Sequence, residues 1–302
     1  MQFLYGIDGN YVDVTYKVFK TCYNQGIFYI PIDDNERAYL FGDHLYGVKK
    51  ELLCNGTPCR VREIMTMEDQ NWNPTRPTLD FRNKEGKEKL EMIHRHVLFF
   101  GGRVRDEYPE QLLAVRYIQE NDVVLELGAN IGRNTLTISS LLSDSRNLVT
   151  LETDPSTCKV LQYNRDMNDF SFHIENSALS KRPLVQQGWE TKPSDGNNAD
   201  ADGAQAKGVA VNTISWTQLQ EKYKLAFSVL VADCEGALYY ILQDEPNLLD
   251  KMRLVIMEND YHDINHKVFV DKVMMEKGFR CIHNEMGGWG CCKEFFFQAW
   301  SK

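Results

Sequence analysis

A chain of 302 residues is long enough for one large core or for a domain with a smaller companion, and 43% hydrophobic with 25% charged residues is globular composition, outside the disordered and membrane classes. The net charge of −9, with Lys and Arg scattered and no basic stripe, argues against DNA or structured RNA as a substrate. No apolar run is long enough to span a bilayer, the start MQFLYGIDGN is unlike a signal peptide, and eight cysteines without C-x-x-C spacing predict reduced thiols in a cytoplasmic setting.

Two units are expected, an N-terminal accessory domain with its linker over 1–85 and a larger domain over 86–302. Within residues 1–60, short apolar runs at 11–18, 27–31 and 38–47 alternate with turn residues and predict a small mixed α/β unit. The charged, proline-containing stretch 68–89 reads as a loop or linker. Apolar residues at helical spacing (Leu112, Leu113, Val115, Ile118) predict a helix over 110–119. The run 123–127, interrupted only by Glu126, predicts a buried parallel strand, and 134–142 the helix after it. The alternation continues with a strand at 148–151, a helix at 155–167 that starts on Pro155, and a strand at 172–174. Strands at 228–232 and 254–257 flank a helix at 237–242, and aromatic-rich segments 279–283 and 294–300, with no helix between them, predict an antiparallel hairpin closing one edge. Residues 186–208 are small, polar and acidic and predict a mobile surface loop; Asp195, Asp200 and Asp202 within it lack the spacing and terminal glutamate of a calcium loop.

The segment 123–132, VVLELGANIG, places a glycine turn between a strand and a helix, where an open α/β sheet binds its ligand. A dinucleotide fingerprint would need glycines where Asn130 and Arg133 stand, so that reading fails. What remains is E-x-G-x-x-x-G, made by Glu126, Gly128 and Gly132. Glu126 is suited to hold a cofactor's amino group through a charge-assisted hydrogen bond. Twenty residues past Gly132 stands Glu152, followed by Thr153, at a strand end suited to accept from both hydroxyls of a ribose.

This segment resembles the GANIG signature of FkbM-type methyltransferases, and SVLVADCEGALYYIL at 228–242 is similar to that family's K-x-D-x-E-G strand end through Asp233, Glu235 and Gly236. Ala232 and Leu238 depart from the family pattern. The resemblance covers roughly residues 105–300. It implies a class I methyltransferase α/β fold, a Rossmann-like, mostly parallel sheet with an antiparallel C-terminal hairpin, which binds S-adenosyl-L-methionine and methylates a hydroxyl of a sugar or another secondary metabolite. It also implies that Ala129, Asn130 and Asn134 complete the glycine turn, that Asn176, Ser177 and Ala178 surround the adenine, and that Glu110 lies near the methionine end. A helix N-terminal acid favoured by the macrodipole explains Glu110 equally well. The first hundred residues lie outside the match and are similar to extensions found with such domains in large DNA viruses, which implies glycan decoration.

Methyl transfer is an in-line displacement at a sulfonium carbon, so alignment is the main task; an alcohol acceptor also needs a base for its proton. Asp233, at a strand end facing the crevice, is the first candidate for that base and a cofactor contact as well. His262 is the second, with Glu258 beside it in IMENDYHD. Asp233, Glu235, Glu258, Asp260 and Asp263 are also hard oxygen ligands of the kind magnesium takes, but close carboxylates occur as plain polar lining, and no metal is assigned. The expected partner is a sugar, nucleotide sugar or oligosaccharide, with no nucleic acid and no membrane span; the N-terminal unit could serve a homo-oligomer. The alternatives are another small metabolite or a protein as acceptor, or a non-catalytic glycan-binding module on the same fold.

Overall fold

The computed structural model describes residues 1–24, 27–59, 64–66, 76–188, 190–194, 208–288 and 290–302. Asp195, Asp200 and Asp202 therefore lie outside the described residues, as does the middle of the expected linker. Two compact units are present, residues 1–100 with 167–169, and residues 101–166 with 170–302.

In the first unit, strands Phe3–Ile7 and Asn10–Asp13 form a hairpin across Asp8-Gly9, a turn pair that takes positive φ readily, and Glu51–Cys54 and Thr57–Pro58 extend the antiparallel sheet. Helix Asp34–Phe41 starts where the Asp33 side chain accepts from the backbone N–H of Asn35 and Glu36. Phe3, Tyr5, Val18, Phe28, Phe41 and Leu52 fill the core. Helix Gly86–His96 belongs to this unit and buries Leu90 and Ile93.

The second unit is built on seven strands: β1 Val124–Leu127, β2 Leu148–Leu151, β3 His173–Glu175, β4 Val229–Ala232, β5 Leu254–Glu258, β6 Arg280–Glu285 and β7 Phe297–Ser301. Its helices are α1 Tyr108–Tyr117, α2 Arg133–Leu141, α3 Pro155–Met167, α4 Trp216–Tyr223, α5 Leu238–Asp244 and α6 Ile264–Glu276. The sheet order is β3-β2-β1-β4-β5-β7-β6; the first five strands run parallel and β7 pairs antiparallel with both neighbours. The fold is the expected mostly parallel Rossmann-like sheet with an antiparallel C-terminal hairpin. It differs from the dinucleotide-binding order 3-2-1-4-5-6 by the insertion of β7 between the last two strands. A short 3₁₀ segment, Gly290–Phe295, stands where no helix was expected between the hairpin strands.

Every residue of β1, β2 and β4 is buried, which is why these strands read as near-continuous Val/Leu runs. The lower end of the sheet is tied by Asp122, which accepts from the Arg253 guanidinium, the Ser228 hydroxyl (2.9 Å) and the Gln119 backbone N–H (2.7 Å). Burial alone would raise the Asp122 carboxyl, but these donors outweigh it and hold it below its ordinary value of 3.8. Its contribution is therefore present above the carboxylate range and is lost as pH falls through it. Asp122→Ala is expected to cost about 2 kcal/mol at pH 7, measured by urea unfolding, with the difference from wild type shrinking toward pH 3.

One expectation needs correction. The mobile loop expected over 186–208 is largely strand in its described part: Leu184–Gln187 pairs antiparallel with Glu190–Pro193 and with Val209–Val211. These strands are only three or four residues long, so no apolar alternation long enough to register marks them.

Candidate functional site

The turn after β1 is fixed by backbone geometry that only glycine permits. Gly128 has φ +88°, and a Cβ built there would lie 1.6 Å from the Asp233 carbonyl oxygen, because the tips of β1 and β4 touch at this point. Gly132 has φ +98° and faces Leu161 Cδ1 at 2.6 Å, so α3 packs directly on the turn. Backbone N–H groups of Gly128 and Ala129 donate to the Leu151 carbonyl at 3.1 and 2.9 Å, and the buried Asn164 side chain of α3 donates to the Ile131 carbonyl at 2.8 Å. Asn130 takes a left-handed conformation, φ 49°, and its Oδ1 accepts from the Ile131 N–H.

This turn borders a cavity of about 460 Å³ at the carboxyl ends of β1, β2 and β4. Of the residues expected at a cofactor, Gly128, Asn130, Glu152, Thr153, Ser177, Ala178 and Asp233 line it. Glu152 is held in place by two backbone donors, Asn130 N–H on Oε2 at 2.9 Å and Asp154 N–H on Oε1 at 2.8 Å. An ionised carboxylate has about four acceptor positions; the Thr153 hydroxyl lies 3.4 Å from Oε1 but also 3.2 Å from Gln186 Oε1, and when it donates to Gln186 two positions remain for a ligand's hydroxyls. Asn176 stands behind the wall and donates to the carbonyls of Glu152 and Thr153, fixing the end of β2. Ala129 and Gly132 belong to the turn but not to the cavity wall, and Asn134 is buried in the first turn of α2.

Glu126 is placed differently from its expected role. It is 2% exposed, does not line the cavity, and its Oε2 accepts from the hydroxyls of Thr135 and Thr150, both at 2.7 Å. Burial pushes its carboxyl up to about 7 against the lowering effect of the two hydroxyls. A carboxyl raised in the fold contributes fully below its ordinary value of 4.5, and that contribution is lost as pH rises through 7. The shift corresponds to about 3 kcal/mol. Glu126→Gln is therefore expected to match wild type in a thermal melt at pH 4 and to exceed it at pH 8 by up to that amount.

Glu110, which is buried, and Asp233 and Glu258, which are half-buried, form a group with one carboxylate oxygen of each within 4.8 Å of the others. Burial and the neighbouring carboxylates push Glu110 and Asp233 well above their ordinary values. Glu258 is pushed up to about 7, by burial first and then by the charge of Asp260, while hydrogen bonds from Glu110 and Asp233 partly offset this. Asp233 belongs both to this group and to the cavity wall. His262 is exposed in the loop after β5 and does not line the cavity.

Several cavity residues carry no sequence signal. Leu184, Gln186, Thr191 and Pro193 come from the inserted strands, and Arg182 just before them pairs with Asp244 at the end of α5, at 2.5 Å. Both members of that ion pair line the cavity.

The chain matches no family model and no curated protein. Among solved structures it is similar to the ribosomal protein L11 methylase of Lactobacillus delbrueckii subsp. bulgaricus, at 13% identity over 65% of this chain and 78% of that one, TM-score 0.40. It is similar to the O-methyltransferase of Bacillus cereus in complex with SAH, at 14% identity over 72% and 91%, TM-score 0.41. A third likeness is to an rRNA methylase of Streptococcus thermophilus, at 6% identity over 68% and 98%, TM-score 0.38. Likenesses this distant carry nothing about substrate or mechanism; those have to come from the site's own residues. Among the described residues, no helix is long and apolar enough to cross a membrane.

Proposed function

We propose that the chain is an S-adenosylmethionine-dependent methyltransferase that methylates a hydroxyl group. The observation that carries this reading is Glu152, a carboxylate held by two backbone N–H groups at the rim of a cavity beside the Gly128 turn, with acceptor positions left for a ribose. No G-x-G-x-x-G follows β1 to cradle a pyrophosphate, which favours a nucleoside cofactor without one. In this reading Ser177 and Ala178 face the adenine, Thr153 stands beside the ribose, and Glu110 belongs to the acidic group near the methionine end.

Asp233, the residue shared by the cavity and the carboxylate group, is the one that would face the acceptor hydroxyl. Bound there, the cofactor would supply a methyl group whose S–C bond breaks, leaving the thioether, as the acceptor's C–O bond forms; Asp233 would take the proton of the acceptor hydroxyl, and Glu258, hydrogen-bonded to it, would spread the charge. A sulfonium cation placed beside these acids favours their ionised forms, which readies a carboxyl that burial otherwise keeps protonated. The acceptor class rests on the resemblance to FkbM-type domains, which points to a sugar or glycan hydroxyl. Incubation with radiolabelled S-adenosylmethionine and a panel of nucleotide sugars, oligosaccharides, small phenols and proteins tests it. Label in a sugar is expected; label in phenols or protein with none in sugars would overturn the acceptor assignment.

A further inference from the structure

Glu110, Asp233 and Glu258 reach one point from three elements distant in sequence: the first turn of α1, the residue after β4 and the last residue of β5. Their nearest carboxylate oxygens lie within 4.8 Å of one another. Two oxygens on opposite sides of a magnesium-sized ion, each about 2.1 Å from it, are about 4.2 Å apart, and on opposite sides of a calcium-sized ion, at about 2.4 Å, about 4.8 Å apart, so hard divalent cations cover this spread. The charges that act most strongly on Glu110 are those of Asp233, Glu258 and Glu107, and on Asp233 those of Glu258, Glu107 and Glu235. All of them are acidic. Three carboxylates at this range, one buried and two half-buried, are unfavourable unless protons or a cation are shared among them.

A separate observation points to a ligand. Glu110 is 7% exposed, and its Oε2 is buried with no hydrogen-bond partner among the described residues. Buried acceptors without a donor are rare, and this one sits in the acidic group with a lone pair available. Access exists through Asp233, which lines the cavity.

We infer that Glu110, Asp233 and Glu258 bind a hard divalent cation, for which Mn²⁺ serves as the probe, at the inner end of the cavity. Three carboxylate ligands leave coordination positions for water or an acceptor oxygen, and they balance a double charge that a single ammonium or sulfonium group would not. The site stands on the carboxylate geometry whether or not the cavity holds a sulfonium cofactor.

Manganese titration of the full-length, chelator-treated chain without any cofactor tests this, with free Mn²⁺ followed by electron paramagnetic resonance. One saturable Mn²⁺ per chain is expected, weakened at least tenfold by Glu110→Gln and by Glu258→Gln, and unchanged by Glu120→Gln at an exposed acid of the same unit. Asp233→Asn serves in place of either variant that does not fold. Absence of saturable binding by wild type, unchanged affinity in the folded amide variants, or an equal loss in Glu120→Gln would overturn the site. Because no cofactor is present, failure here leaves S-adenosylmethionine binding to stand, and failure of that binding leaves the ion site to stand.

Discussion

Gly128→Ala is expected to destabilise the second unit by about 4 kcal/mol or more and to remove the cavity with it. The added Cβ would sit 1.6 Å from the Asp233 carbonyl oxygen, which is backbone and cannot rotate aside. Relief requires the tips of β1 and β4 to part, which breaks the hydrogen bond from Asp233 N–H to the Leu127 carbonyl at 3.1 Å. The positive φ adds strain of about 1–3 kcal/mol. Gly132→Ala is the informative comparison. Its Cβ meets the end of the Leu161 side chain at 2.6 Å, so a side-chain shift absorbs part of the clash and a smaller loss, about 2 kcal/mol, is expected. Urea unfolding of both variants checks the order. Equal losses would mean that the contact between strand tips is not what makes Gly128 irreplaceable.

Asp233→Asn is expected to lower turnover by about 10² to 10⁴-fold, the range of a general base, while leaving cofactor affinity within a few-fold. Asparagine keeps the shape and hydrogen bonding of the aspartate but cannot take a proton from an acceptor. The fold should tolerate it, because removing one acid from the group with Glu110 and Glu258 relieves repulsion rather than creating it. Turnover of the wild type should rise with pH through the range around 7 in which Glu258 ionises. Retained turnover in Asp233→Asn would move the base elsewhere in the site.

How much of this was legible in the sequence depended on how local each feature is. The parallel strands announced themselves as apolar runs because both of their faces are covered, and the glycine turn did so because two positive-φ positions, one of them pressed against backbone and the other against a side chain, demand glycine. Glu152 could be placed because it directly follows β2, and Asp233 because it directly follows β4. Glu126 lies between Leu125 and Leu127, and strand alternation sends it to the other face of β1, where Thr135 and Thr150 hold it. The convergence of Glu110 with Asp233 and Glu258 had no spacing to reveal it, since α1 meets β4 and β5 only in three dimensions. The inserted strands that wall the cavity were hidden by their shortness, three or four residues each.

The most direct test of the cofactor reading is calorimetric titration of S-adenosylmethionine into the full-length chain and two variants. The wild type should bind one equivalent; Glu152→Ala should weaken binding about 100-fold, as expected for losing two charge-assisted hydrogen bonds, and Gly128→Trp should abolish it. No binding by the wild type, or binding undiminished in both variants, would contradict it.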